Sequence, residues 1–303
     1  MPTESAAHGA PVPRWLGVVL LMLIATTFGG NHIAARVAFD HGANVTTGVA
    51  ARSLGTALFV LVLLRLQRVP IALPVRLRWR ASVIGVLIAV QSYCIYSAVA
   101  RIPVALALLA FNTAPLLFVL ISWAAGGERL ARRTLVAMPV ALVGLALALD
   151  VTGNSGDIAG RWAEIGAGVS YALGAAVSFA SVFYLNGRWL NSVDGRVRTL
   201  VTMGVVAVIA LAGGAVTGDF RFPQDATGWL GLGLLTLFYG IAFTALFMVL
   251  PRIGTASNTV ALNFEPIAVL FLAWAILGQA VAPLQVCGAF MVVGAIMALG
   301  TGK

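Results

Sequence analysis

Apolar runs of about twenty residues recur along almost the whole length of this 303-residue chain. A helix of that length crosses a hydrocarbon core about 30 Å thick. The sequence therefore predicts an all-α membrane protein with ten transmembrane helices, which we number as spans 1 to 10. The predicted spans cover residues 15–38, 45–64, 80–99, 103–125, 133–151, 162–185, 197–217, 227–249, 254–277 and 282–301.

The composition supports this class, since 60% of the residues are hydrophobic and only 10% are charged. The net charge of +9 could indicate a nucleic-acid partner, but the basic residues lie in short loops where membrane topology explains them better. Cys94 and Cys287 lie inside apolar runs, and no metal-ligand spacing is present. We therefore expect a protein of the lipid bilayer with no nucleic-acid partner, disulfide framework, metal or cofactor.

The distribution of basic residues predicts the orientation. If the N-terminus is cytoplasmic, 14 of the 19 basic residues fall in inner segments, whereas only Arg101, Arg161 and Arg221 fall in outer ones. Under the positive-inside rule this bias places both termini in the cytoplasm and favours an even number of spans. We expect a multi-pass protein of the cell inner membrane, with residues 1–14 as a flexible tail.

An internal repeat organises the spans. Residues 101–131 and 252–282 align at a constant offset of 151, with ten of 31 positions identical. An Arg-Trp pair also opens each half, at 14–15 and at 161–162. The chain is therefore predicted to be two five-helix repeats, 15–151 and 162–301. Because five is odd, the second repeat enters the membrane from the opposite side, an architecture typical of secondary transporters. The matched residues include Asn112 with Asn263, Pro115 with Pro266, Trp123 with Trp274 and Gly127 with Gly278.

These features resemble the drug/metabolite transporter superfamily, in particular its EamA-like branch. In that branch the fourth helix of each repeat carries a mid-helix proline and ends in a Gly-Glu step. Pro115 with Gly127-Glu128 matches this pattern, and Pro266 with Gly278 matches it except that Gln279 replaces the glutamate. The segment FGGNHIAARVAF at 28–39 and the arginine Arg52 are also similar to the family. The resemblance implies a small-molecule carrier, most often an exporter. Members of this group export amino acids and related metabolites, and other branches carry nucleotide sugars and sugar phosphates.

Polar residues in the middle of a span should face the interior of the bundle, because exposing them to lipid is costly. Many of them share one depth, as a central substrate cavity requires. The predicted substrate-binding residues are Asn31, His32, Arg52, Gln91, Tyr93, Tyr96, Asn112, Tyr171, Ser178, Tyr239, Asn258 and Glu265.

Glu265 is the strongest of these candidates. It could bind a substrate ammonium or carry a proton, and the alternative is a structural ion pair with Arg52. Arg52 could equally hold a substrate carboxylate. For His32 a hydrogen-bonded interior histidine is favoured over a proton site. The row that contains Tyr171 and Ser178 is explained at least as well by helix contact.

Pro115 and Pro266 are predicted hinges, since each removes a backbone hydrogen bond in the middle of a span. Asn112 either lines the cavity or satisfies the disturbed backbone. Spans 5 and 10 carry small residues but no charge at mid-depth, so they form outer supports or a homodimer face. The small residues are Gly144, Ala148, Gly288 and Gly294.

The sequence bears on three classes of function. An intramembrane enzyme is disfavoured, because the sequence lacks the HExxH, GxSxG and Gly-rich phosphate motifs and carries one mid-membrane carboxylate. A non-transporting scaffold leaves Glu265 and the inverted halves without a reason. Among carriers, a proton-coupled multidrug or cation exporter competes with an amino-acid exporter. The presence of both Arg52 and Glu265 favours a zwitterion, so we predict alternating-access export of amino acids.

Overall fold

Helix is the only regular secondary structure in the described part of the chain, which comprises residues 14–126, 132–148, 158–253, 264–279 and 282–300 of a computed structural model. The predicted all-α class is therefore confirmed over these ranges. The helices are α1 (Arg14–Asp40), α2 (Val45–Leu66), α3 (Val75–Arg101), α4 (Val104–Phe111), α5 (Ala114–Ala124), α6 (Arg132–Ala148), α7 (Ile158–Trp189), α8 (Gly195–Thr217), α9 (Ala226–Ile253), α10 (Glu265–Leu277) and α11 (Pro283–Gly300).

Six described segments are long and apolar enough to cross a membrane by themselves, and three more are apolar but shorter. The number of ten crossings stays a prediction, and the predicted tail lies outside the described residues except for Arg14. The six segments are Val45–Leu66, Val75–Arg101, Val104–Ala124, Ile165–Trp189, Gly195–Thr217 and Ala226–Phe243.

Several helices extend beyond the predicted spans. Helix α3 begins at Val75, five residues before span 3, and includes Arg76 and Arg78. Arginine is a good helix former, and its long side chain can keep the charge in water while the backbone remains helical. The length of the apolar run therefore underestimates the length of the helix.

Span 4 is two helices, not the one kinked helix that was expected. Helix α4 ends at Phe111, where Asn112 Nδ2 donates to the Leu108 carbonyl and Thr113 Oγ1 donates to the Ala110 carbonyl. Helix α5 begins at Ala114, with Pro115 in its first turn. Proline suits a helix start because its missing N–H needs no partner there. Pro266 likewise lies in the first turn of α10, so both prolines lie at the start of a helix.

The offset of 151 relates the helices as well as the sequences. Adding it to α2 gives 196–217, against Gly195–Thr217 for α8, and adding it to α3 gives 226–252, against Ala226–Ile253 for α9. The same shift relates α6 to α11. The Arg-Trp pairs at 14–15 and 161–162 are offset by 147, so they do not occupy equivalent positions.

Equivalent helices run in opposite directions. Asn44, just before α2, donates its side-chain amide to the carbonyl of Asp219, just after α8. At the other ends of the same helices, Arg196 donates to the side chain of Gln67. Helix α6 is also antiparallel to α11. Its residue Ala148 lies against Gly288, whereas its residue Ala141 packs with Ala295.

The packing is unchanged when the two halves are exchanged. Helix α1 packs on α9 and α10, and its equivalent α7 packs on α3 and α5. Helix α2 packs on α9, as α8 packs on α3. Together with the antiparallel pairs, this pattern is that of two halves related by a twofold axis perpendicular to the helices.

Large apolar side chains cover much of the outside of the bundle. Leu142, Val208 and Phe271 are each at least 60% exposed. In water such a surface would be an aggregation or interaction site, whereas lipid tails cover it without penalty. The outer surface is therefore that of a membrane protein.

Three of the four small residues of α6 and α11 face each other inside one chain, whereas nothing lies within 4 Å of a Cβ added at Gly294. A Cβ on Gly144 would lie 2.8 Å from the Gly288 carbonyl oxygen, and one on Gly288 would lie 2.4 Å from the Ala148 nitrogen. These residues allow close contact between two helices, as small residues commonly do in membranes. The three residues therefore join α6 to α11, and a homodimer would have to use other faces.

Candidate functional site

A buried arginine in α2 forms the centre of the site. The side chain of Arg52 is inaccessible, with 2% of the residue exposed. Its guanidinium carbon lies 5.0 Å from the ring centroid of Tyr96 and 4.1 Å from that of Tyr239. Its Nη2 donates to Ser92 Oγ, while its Nε is buried without a hydrogen-bond partner. The two rings stabilise the cation by cation–π attraction but leave one N–H unpaired.

Tyr96 is fixed in turn by α1. The Tyr96 hydroxyl donates to Asn31 Oδ1 at 2.9 Å, and both residues are fully buried. Ser92 donates to the Ile88 carbonyl one turn earlier in α3, which leaves its oxygen free to accept from Arg52. The guanidinium therefore rests on side chains that are themselves hydrogen-bonded.

An acid lies beside His32, the next residue of α1. His32 Nε2 is 3.8 Å from Glu265 Oε1, too far for a hydrogen bond but close enough for electrostatic interaction. The His32 ring meets the Tyr96 ring edge-on at 6.0 Å, and His32 Nδ1 is buried without a partner. Glu265 is the first residue of α10, where the positive end of the helix dipole favours a carboxylate.

Two glycines explain how α1 brings these groups together. A Cβ on Gly29 would lie 2.8 Å from Val269 Cγ2 in α10, and one on Gly30 would lie 3.2 Å from the Phe238 ring in α9. Without side chains here, α1 approaches both helices closely. The next two residues, Asn31 and His32, therefore reach Tyr96 and Glu265.

Six of the predicted site residues thus come together, along with Ser92, which the sequence analysis missed. We call this group the central polar cluster: Asn31, His32, Arg52, Ser92, Tyr96, Tyr239 and Glu265. Among the described residues, no carboxylate lies within ion-pair distance of Arg52, so the alternative of a structural ion pair between Arg52 and Glu265 is not formed.

The other predicted residues lie elsewhere. Gln91 adjoins the cluster only through a 3.4 Å contact with Ser92. Tyr93 is half-buried near Thr46, and the Asn112 amide bonds the backbone of its own helix. Tyr171 is 39% exposed beneath the Arg101 guanidinium. Ser178 is buried in α7, and Asn258 lies outside the described residues.

The cluster draws residues from both repeats, but it has no polar copy at the equivalent positions. At the offset of 151, His32 corresponds to Phe183, Arg52 to Met203, and Glu265 to Ala114. The paired positions are therefore polar on one side of the twofold axis and apolar on the other. The arrangement provides one charged site for each chain.

Loops from both halves meet at the end of the molecule that lies beyond the cluster. His41 Nδ1 and Asp225 Oδ2 are 2.6 Å apart, and the Gln224 N–H donates to the His41 carbonyl. Hydrogen bonds from the Gly228 N–H and from His41 lower the pKa of Asp225. At the opposite end, hydrogen bonding to Arg196 lowers the pKa of Asp194, the N-cap of α8.

Two cavities in the described region lie outside the cluster. One, of about 430 Å³, is an apolar groove between α2 and α9 that includes Gly55 and Thr236. The other, of about 160 Å³, lies among α4, α6, α10 and α11 and includes Pro266 and Gln279. Arg52 and Glu265 line neither of them. These two cavities are therefore separate from Arg52 and Glu265.

Comparison with known proteins agrees with this architecture. Fifteen chains of solved structures match, and one, described as "Crystal structure of protein", superposes with a TM-score of 0.65 at 20% identity. That alignment covers 93% of this chain and 96% of the other, and it concerns the fold alone. No curated protein matches the sequence. The EamA-like transporter family matches twice, over residues 15–149 and 166–301, one match for each repeat. The chain therefore belongs to the EamA-like transporter family, whose members carry small molecules across membranes.

Proposed function

We propose that this protein exports amino acids or closely related zwitterions across the inner membrane by alternating access. The observation that carries the proposal is that the central polar cluster contains a buried cation and an acid that do not neutralise each other. A zwitterion supplies both of the missing counter-charges.

The energetics favour this assignment. A charge at the centre of a membrane helix costs about 2.5–3.5 kcal/mol on insertion scales. Arg52 has two aromatic faces and one serine, but its Nε lacks a partner. A substrate carboxylate would complete that site, because guanidinium and carboxylate form charge-assisted hydrogen bonds. A substrate ammonium would interact with Glu265, beside His32.

The two halves provide a means of alternating access. Equivalent helices are antiparallel, and each half contains a helix that begins with a proline in its first turn, Pro115 in α5 and Pro266 in α10. In transporters built from inverted repeats, sites lie near such breaks, and one repeat rocks against the other. The charge bias, with both termini inside, makes the end that contains His41 the outer one.

A proton-coupled cation exporter is the second candidate, and one observation favours it. His32 and Glu265 are close without a hydrogen bond, so the pair can hold a proton in place of a cation. The two proposals differ in what they require of Arg52. A zwitterion needs Arg52 to bind its carboxylate, whereas a lipophilic cation does not need Arg52.

Purified protein in liposomes can distinguish these proposals. We expect Glu265→Gln to reduce efflux of a labelled amino-acid mixture at least tenfold, with unchanged monodispersity and melting temperature. Arg52→Gln should do the same. If Arg52→Gln leaves flux intact and a pH gradient drives efflux of a lipophilic cation, the cation exporter replaces the first proposal. Unchanged amino-acid flux in Glu265→Gln would remove the acid from the site.

A further inference from the structure

The end of the molecule opposite His41 carries a dense group of arginines. Residues 65–80 and 186–198 contain eight arginines and one acid, Asp194. We call these two segments the basic end. They connect α2 to α3 and α7 to α8, and they contact each other through Gln67 and Arg196. Leu77 and Leu190 also share one buried apolar cluster, so the two segments form a single surface.

Most of this charge has no counter-ion. Within the described part of the chain, the only ion pair at the basic end joins Arg196 to Asp194 at 2.8 Å. Arg65, Arg68, Arg76, Arg78 and Arg188 are all exposed. The positive-inside rule accounts for the sign of the charge. It does not require the arginines of two separate loops to meet on one surface.

A more specific feature lies at the centre of this surface. The rings of Trp79 and Trp189 are 5.4 Å apart, and the Arg80 guanidinium lies 5.6 Å from the first and 5.9 Å from the second. The Nε of Arg80 is buried and makes no hydrogen bond. Tryptophan is enriched at the membrane–water interface, where its ring sits at the level of lipid headgroups. The unpaired N–H therefore lies among groups typical of headgroup depth.

One helix N-terminus adds to the positive potential. Helix α3 begins at Val75 with no side-chain cap, whereas the N-terminus of α8 is capped by the carboxylate of Asp194. The first turn of a helix carries unpaired N–H groups and about half a positive charge, which favours anions. Arg76 and Arg78 lie in that first turn of α3.

The basic end is not a consequence of the repeat. At the equivalent positions of the opposite end, Arg68 corresponds to Asp219, Arg78 to Trp229, and Arg80 to Gly231. One end has therefore acquired a cationic surface that its structural equivalent lacks. Under the proposed topology this end faces the cytoplasmic leaflet, where anionic lipids produce a negative surface potential.

We propose that the basic end binds the phosphate headgroup of an anionic phospholipid, with Arg76, Arg78 and Arg80 as ligands and the Trp79–Trp189 pair against the upper acyl chain. This site is separate from the central polar cluster and does not depend on which solute is transported.

The test uses the full-length protein in detergent with phosphatidylglycerol or phosphatidylcholine of the same acyl chains. We expect phosphatidylglycerol to raise the melting temperature in a saturable manner and phosphatidylcholine to have little effect. The double variant Arg76→Gln/Arg78→Gln changes two exposed side chains, so it should fold normally. It should require at least tenfold more phosphatidylglycerol for half of the shift. Arg80→Gln should weaken the response in the same direction.

A matched double variant controls for the loss of two charges. Arg101→Gln/Arg221→Gln removes two arginines from the opposite end and should respond to phosphatidylglycerol like the wild type. Equal responses of the two double variants to phosphatidylglycerol would overturn the proposal. An equal loss would show that total charge alone matters, and no loss in either variant would show that Arg76 and Arg78 are not ligands. An equal effect of phosphatidylcholine would also overturn the proposal. A comparable shift with soluble glycerol phosphate would assign the site to a free phosphate compound and not to lipid.

Discussion

Arg52 is held by three neighbours that the membrane alone would not require. Stacking on Tyr96 and Tyr239 and a bond to Ser92 together use the planar, multi-donor shape of a guanidinium. An ammonium at the end of a lysine side chain cannot make these contacts together. The geometry at this residue therefore depends on arginine itself and not merely on a positive charge.

Arg52→Lys is expected to lose most amino-acid flux, while Ser92→Ala should raise KM about fivefold, the value of one hydrogen bond of about 1 kcal/mol. Met203→Leu at the position equivalent to Arg52 is the control and should transport normally. Initial rates of counterflow in liposomes measure all three. Full activity of Arg52→Lys would show that the stacked geometry has no role.

The sequence located the depth of this site but not the direction in which each side chain points. Tyr93 and Tyr96 lie three residues apart, and yet Tyr96 bonds Asn31 while Tyr93 lies near Thr46. Hydropathy places residues along a helix, whereas the rotation of that helix is set by packing. Ser92 was overlooked because a serine can satisfy itself on the preceding turn, and its role becomes visible only when α2 is placed beside α3.

Helix α1 is the element that assembles the cluster. Its glycines at 29 and 30 were noted in the sequence as a family feature, and the structure gives them a physical role in the approach to α10 and α9. In span 4, by contrast, a feature noted in the sequence did not have the expected structural effect. Pro115 was expected to kink a helix, whereas Asn112 and Thr113 close one helix before the proline opens the next. Side-chain hydrogen bonds at the end of α4 therefore determine where span 4 breaks.

Gly29→Ala should impair both stability and transport, because the new Cβ would lie 2.8 Å from Val269 Cγ2 and push α1 away from α10. The double variant Gly29→Ala/Val269→Ala removes the clashing methyl groups and should recover part of both losses. Gly213→Ala in α8 is the control, since nothing lies within 4 Å of the added carbon. Melting temperatures and flux are measured together. Strictly additive losses in the double variant would contradict the assigned contact.

The whole molecule combines a symmetric frame with an asymmetric interior. The exchange of halves preserves which helices touch, but it replaces Arg52 by Met203 and the basic end by a surface with Asp219 and Trp229. Symmetry of the frame allows two conformations of comparable energy, which alternating access requires. Under the proposed function, asymmetry of the side chains would give one substrate site and would distinguish the two membrane faces. The symmetric frame could be predicted from the offset of 151, because an internal repeat is visible in the sequence. The arrangement of the interior side chains could not be predicted, because it depends on contacts between distant helices.

Arg68 and Asp219 occupy equivalent positions in the two repeats, and both are exposed, so they provide a direct test of inversion. Each is changed to cysteine in a background without Cys94 and Cys287. In intact cells, a membrane-impermeant maleimide should label Asp219→Cys from outside but reach Arg68→Cys only after permeabilisation. Inverted repeats require this difference, because equivalent positions then lie on opposite membrane faces. Equal labelling of both after permeabilisation is the control. Labelling of both from the same side would mean parallel halves, and the alternating-access mechanism would lose its structural basis.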